Sequence, residues 1–155
     1  MLSDLPRMPR CEICSLRPNC AAAAAGDPAR YPVKPAKRPR PARRGTAWWI
    51  TVGDDVLTIV RPAKGLLGGM RALPSCDWAG TDAAPPLPGA WRDLGAVTHG
   101  FTHFELTLAV RAIDLAAKPA LAGDWLDIAQ LDGAGLPTLF AKAAALARAC
   151  TSEIA

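Results

Sequence analysis

From residue 46 onward, short apolar runs alternate with breaks. TAWWITV (46–52) and VLTIV (56–60) are rich in β-branched and aromatic residues and flank Gly53-Asp54-Asp55. That combination predicts a β-hairpin. Residues 62–75, PAKGLLGGMRALPS, read as a glycine-rich loop, and residues 76–91 as an irregular, proline-bearing segment. In AVTHGFTHFELTLAVRAI two strands should meet near Gly100. Phe104, Leu106, Leu108 and Val110 alternate there with Glu105, Thr107 and Ala109, as in a strand with one buried face. Trp125-Leu126-Asp127-Ile128 suits a short edge strand, and Pro137 opens a helix running through LFAKAAALARA. Strands closed by a helix indicate an α+β domain.

The first third of the chain has a different pattern. Residues 28–44 hold five prolines and seven cations and no apolar periodicity. Proline fixes φ and removes backbone donors, so an extended connector without a core is expected. AAAAAGD (21–27) can finish a short helix capped at Gly26. Charge divides at the same place. Residues 1–45 carry ten Lys/Arg and three Asp/Glu, a net of +7; residues 46–155 carry eight and eleven, a net of −3, which together give the chain's +4. A basic arm on a mildly acidic globule fits a polyanion such as DNA, or a plain solvated linker. The arginines and lysines Lys34, Lys37, Arg38, Arg40, Arg43 and Arg44 are the candidate phosphate contacts. No apolar run approaches the roughly 18–20 residues of a membrane helix. MLSDLPRMPR has no apolar leader core, so a cytoplasmic setting without membrane attachment is expected.

Three of the five cysteines crowd together as Cys11-x2-Cys14-x5-Cys20. In a chain without an export signal this reads as metal binding rather than as a disulfide framework. Thiolates suit an iron–sulfur cluster, which usually takes four, or zinc, which would need a further Cys or His pair. Cys76 and Cys150 are isolated, and His99 and His103 lie far along the chain.

The run RMPRCEICSLRPNCAAAAAG resembles the iron–sulfur loop of MutY-type adenine DNA glycosylases, whose pattern is C-x6-C-x2-C-x5-C. Cys11, Cys14 and Cys20 match its last three cysteines; the first falls at position 4, where this chain has Asp4. The resemblance implies a [4Fe–4S] cluster, and the departure at Asp4 leaves that cluster one thiolate short, because a carboxylate is a harder and weaker ligand for it. RRGTAWW, RPAKGLLGGMRALP, HGFTHFELTL and GLPTLFAKAAALA resemble, in order, segments of the family's C-terminal Nudix-like domain. The implied organisation is a remnant of the iron–sulfur loop (1–27), a Pro/basic connector (28–44) and a Nudix-like recognition domain (45–155).

In that family the catalytic acids and adenine pocket lie in a helical domain preceding all of this, so no catalytic residue is assigned here. Phe101-Thr102-His103 matches the loop with which the family contacts 8-oxoguanine, with Thr in place of Ser. A hydroxyl can both donate and accept, which suits a base whose N7 has become a donor and whose C8 carries a carbonyl. Phe101 could pack the loop or press on the duplex, and His103 could orient the loop or touch phosphate. The implied partner is double-stranded DNA with 8-oxoguanine:adenine mispairs, bound by a monomer. The intact enzyme would hydrolyse the adenine N-glycosidic bond; the alternative is a stand-alone, non-catalytic DNA-binding or interaction module. Nudix-type nucleotide hydrolysis is disfavoured, since its G-x5-E-x7-R-E-x2-E-E motif needs clustered glutamates and none occurs between Glu12 and Glu105.

Overall fold

The computed structural model describes residues 9–31, 39–78 and 84–152. The chain divides into two compact units, residues 1–39 and 40–155. The first, as described, is a succession of tight turns. Helical 3-10 turns at Cys11–Ile13, Arg17–Asn19 and Pro28–Arg30 flank one short helix, α1 (Ala21–Ala24), and none of these elements buries a residue. Gly26 adopts φ +71° just past α1 and its N–H closes on Ala23 C=O, the helix stop expected from its lack of a Cβ.

The second unit is a mixed six-stranded sheet with a helix against it. Strands β1 (Ala42–Val52) and β2 (Asp55–Val60) form the expected hairpin, turning at Gly53 with φ +57°. Their ladder is short, Thr51 opposite Val56 and Val52 opposite Asp55. β2 also pairs from Asp55 to Thr58 with β6 (Asp124–Asp127) and, at Ile59 and Val60, with β3 (Arg71–Ala72), a two-residue strand inside the glycine-rich loop. On its other edge β1 runs parallel to β5 (Glu105–Asp114), in register from Ala42–Glu105 to Thr51–Asp114. β4 (Arg92–Gly100) lies antiparallel to β5 and completes the order β3-β2-β1-β5-β4, with β6 on β2.

A strand flanked in the sheet and covered on both faces should be apolar throughout rather than alternating. β1 shows this, with every residue from Gly45 to Thr51 buried. Its odd positions Ala47 and Trp49 enter the main core, together with Leu106, Leu108, Val110 and Ala112 of β5. Its even positions Trp48 and Ile50 join Leu57 and Ile113 in a smaller core on the opposite face, covered by Leu87, Trp91, Leu115 and Leu121 from the connecting segments and by Trp125 of β6. Helix α2 (Thr138–Ser152) closes the main core. Its first turn begins on Pro137, whose carbonyl accepts from Ala141 N–H at 2.9 Å. Leu139, Phe140, Ala143, Ala144 and Ala147 line one stripe of α2 at helical spacing and are all buried.

Two differences from the sequence expectation matter for the site. Ala42-Arg43-Arg44 belong to β1, not to an extended connector, because they pair with Glu105-Leu106-Thr107. β4 also begins at Arg92, before the apolar stretch that announced it, and it carries an irregularity between Asp93 and Ala96 where Gly95 takes φ +103°. Lys142 of α2 donates to Thr98 C=O on this strand at 3.4 Å. Among the described residues no helix is long and apolar enough to cross a membrane.

Gly123 precedes β6 with φ +147°, and a Cβ there would stand 2.4 Å from Thr58 C=O. Gly123→Ala therefore combines backbone strain with overlap and should cost roughly 1–3 kcal/mol. Urea unfolding should show a lowered midpoint at unchanged slope; an unchanged midpoint would mean that the β2–β6 contact is looser than described.

Candidate functional site

The loop joining β4 to β5 is a tight turn in which Phe101 N–H donates to Phe104 C=O at 2.8 Å. Phe101 and Phe104 turn inward; Thr102 and His103 stand exposed at the tip. Phe101 lies 4.8 Å from the Phe104 ring, meets His99 edge-on at 4.7 Å, and stacks at 6.3 Å on Trp78. Phe101 thus packs the base of the loop, the first of the two roles open to it in the sequence. The hydroxyl of Thr102 and the imidazole of His103 are left facing solvent on a turn whose base is anchored in the main core.

Arginines from the start of the sheet surround this turn. Arg43 lies over the Phe104 ring, 4.4 Å from its centre. A Cβ on Gly100 would meet Arg40 Nη1 at 3.4 Å, so the guanidinium runs close to the backbone where the turn begins. Pro41 C=O accepts from Glu105 N–H at 3.0 Å and ties the two segments together. Arg44 projects to the opposite face of β1, as successive strand residues must. Arg40, Arg43 and Arg44 are all exposed, and none forms an ion pair among the described residues. Unpaired guanidiniums beside an exposed hydroxyl can bind phosphate and read an adjacent polar edge. Lys34, Lys37 and Arg38 lie outside the described residues.

Two residues that the sequence did not single out complete the base of the turn. Trp78 is 3% exposed, in a segment without regular structure. Arg61, directly after β2, lies over its ring at 4.3 Å and donates to Leu66 C=O and Ser75 Oγ. Burial pulls the Arg61 pKa down and Cys76 opposes that shift. Cys76 Sγ itself accepts from Thr46 N–H at 3.1 Å. A lone tryptophan amid prolines and glycines was the available signal, but nothing local says what it touches.

The thiols of Cys11, Cys14 and Cys20 are free, Cys14 exposed and the other two half-buried. Cys14 N–H bonds Cys11 C=O and Cys20 N–H bonds Arg17 C=O, so the three sit on successive turns. Among the described residues no three His, Cys, Asp or Glu side chains are grouped so as to hold a metal ion. Asp4 lies outside the described residues. Three thiols are one fewer than a fully thiolate-bound [4Fe–4S] cluster takes, so the described residues alone do not complete that donor set.

The sheet and its closing helix have counterparts among known proteins. The family profile described as NUDIX domain matches residues 46–146. The chain belongs to the NUDIX domain family. Human adenine DNA glycosylase is 29% identical over an alignment covering 57% of this chain, and that alignment spans 19% of the human protein. The C-terminal domain of mouse MUTYH, solved in complex with human PCNA, superposes with a TM-score of 0.58 at 22% identity, covering 71% of this chain and 90% of that domain. A MutT protein from Methanosarcina mazei Go1 shares the fold with a TM-score of 0.55 at 15% identity, covering 72% and 97%. The α+β, Nudix-like architecture expected from the sequence is therefore established, and so is the likeness to the C-terminal part of MutY-type glycosylases.

Gly45 lies under Trp78, where a Cβ would come within 2.6 Å of Trp78 Cδ1 and 3.4 Å of Cys76 Sγ. Gly45→Ala should destabilise the NUDIX domain by about 1–3 kcal/mol through overpacking. Calorimetry of the variant beside the parent tests this, and an unaltered midpoint would show that Trp78 can move aside freely.

Proposed function

We propose that this chain is the recognition part of an adenine DNA glycosylase and that its β4–β5 turn reads 8-oxoguanine opposite a mispaired adenine. The observation that carries the reading is the turn itself. It presents Thr102 and His103 to solvent while Phe101 anchors it, and the unpaired Arg40 and Arg43 flank it. The likeness to adenine DNA glycosylases supports the choice of nucleic acid. On this reading Thr102 accepts from N7–H of the oxidised base or donates toward O8. The arginines hold the flanking phosphates, and base removal belongs to catalytic groups outside these residues. Nudix-type hydrolysis of a nucleotide is not proposed, because the stretch after Gly65 offers only Asp77 and Asp82 where that chemistry needs clustered glutamates. The protein is proposed to act in the cytoplasm as a monomer.

Thr102→Ala removes the hydroxyl, and a neutral hydrogen bond contributes about 0.5–1.5 kcal/mol net, so preference for 8-oxoguanine over guanine opposite adenine should fall roughly two- to twelve-fold. Thr102→Ser should be nearly silent. The measurement is the ratio of dissociation constants for the two duplexes at one salt concentration, with folding checked by circular dichroism. A folded Thr102→Ala protein that keeps the parent's ratio removes the hydroxyl from the mechanism.

If Arg40, Arg43 and Arg44 hold phosphates, replacing them by Gln should flatten the dependence of log affinity on log salt by about one for each phosphate no longer neutralised. Both duplexes should be affected alike. A slope equal to the parent's would make these arginines bystanders.

A further inference from the structure

Trp78 sits in a conformation that a core position does not need. Its φ is +60°, a strained region for a bulky side chain, and its buried indole Nε1 finds no acceptor among the described residues. Burying an unpaired donor is itself unfavourable. Leucine or phenylalanine would fill space here without the orphaned N–H. What the large indole adds is ring surface that three groups contact. Phe101 stacks on it at 6.3 Å and 25°, Phe140 of α2 tilts against it at 6.3 Å, and the Arg61 guanidinium lies over it at 4.3 Å.

The chain of rings continues in both directions. Arg61 is fixed by Leu66 C=O at 3.2 Å and Ser75 Oγ at 3.0 Å, and Phe101 passes to Phe104, over which Arg43 lies. Three aromatic rings thus run in sequence from one guanidinium to another, beneath the turn bearing Thr102. Cations over ring faces are attracted electrostatically, more so when desolvated. We propose that Arg61 and Trp78 are positioning residues: through Phe101 they hold the 101–104 turn in the geometry that presents Thr102 to the base. The inference rests on the 8-oxoguanine reading for its consequence in recognition, but the ordering of the turn can be measured without DNA.

The test uses the full chain with Trp78→Leu, Trp78→Phe and Arg61→Gln. Amide hydrogen exchange at Phe101, whose N–H bonds Phe104 C=O, reports the turn; amides of Leu57 and Val110 report the sheet. In Trp78→Leu, Phe101 should exchange roughly tenfold faster than the sheet amides account for, as in a locally opened segment. Trp78→Phe, which keeps a ring for Phe101, should restore most of the protection, and Arg61→Gln should fall between. In parallel, preference for 8-oxoguanine over guanine should drop in Trp78→Leu toward that of Thr102→Ala, while overall DNA affinity at the guanine duplex holds. If Phe101 exchange changes only by the factor seen at Leu57 and Val110, Trp78 is a core residue and the proposal fails. Should Trp78→Leu not fold, Arg61→Gln decides on the same two readouts. A parent chain without any preference for 8-oxoguanine refutes the reading of the turn, and the exchange experiment still decides whether Trp78 positions it.

Discussion

The parallel pairing of β1 with β5 is the constraint on which everything else in the larger unit depends. Parallel strands cannot be joined by a short turn, so this ladder is assembled from residues some sixty positions apart in sequence, in register from Ala42–Glu105 to Thr51–Asp114. That register decides which side chains meet. It sets Ala47 and Trp49 beside Val110 and Ala112 in the main core and Trp48 and Ile50 beside Ile113 in the smaller one. It also brings Arg43 level with Leu106 and so over Phe104. A slip of one residue would exchange the two cores and carry the arginine to the other face. The turn that presents Thr102 is built at the end of this ladder, and its geometry is inherited from it.

On the proposed reading, a division follows between residues that present chemistry and residues that hold them in place. Thr102, His103, Arg40 and Arg43 lie at the surface. Behind them stand Phe101, Phe104, Trp78 and Phe140, whose rings tie the turn to β1 and to α2. The NUDIX fold here supplies a rigid platform whose distinguishing feature is what one connection carries. Such a site depends less on its exposed residues' conformational preferences than on the rigidity of what lies underneath.

Much of this was legible in the sequence, for an identifiable reason. The β1–β2 hairpin, the alternation of β5 and the helix after Pro137 are written in local periodicity and turn chemistry, and all three were readable without knowledge of contacts. Thr102 and His103 were singled out only through a resemblance of sequence, and nothing in the sequence places Arg40 by Gly100 or Arg43 over Phe104 at the base of the same turn. What could not be read was set by partners distant in sequence. Arg43 and Arg44 look like connector residues because proline and charge surround them, yet pairing with β5 makes them strand. β3 is two residues within the glycine-rich loop, paired with β2. Trp78 has no periodic neighbours at all, and its importance lies in rings that come from residues 101 and 140. Phe101 was open between anchor and wedge in the sequence, and its three ring contacts come from partners that local pattern does not reveal.

The outer margin of β4 has a consequence for how the protein behaves in company. A sheet that ends in a long, straight strand offers a row of open amide groups on which another chain can template itself. Here that strand is kinked between Asp93 and Ala96, and the ammonium of Lys142 reaches from the neighbouring helix to the Thr98 carbonyl. A register irregularity and a long charged side chain near an edge strand are both features that hinder the addition of another strand. Such features work against the edge-to-edge growth by which exposed sheets recruit one another into aggregates.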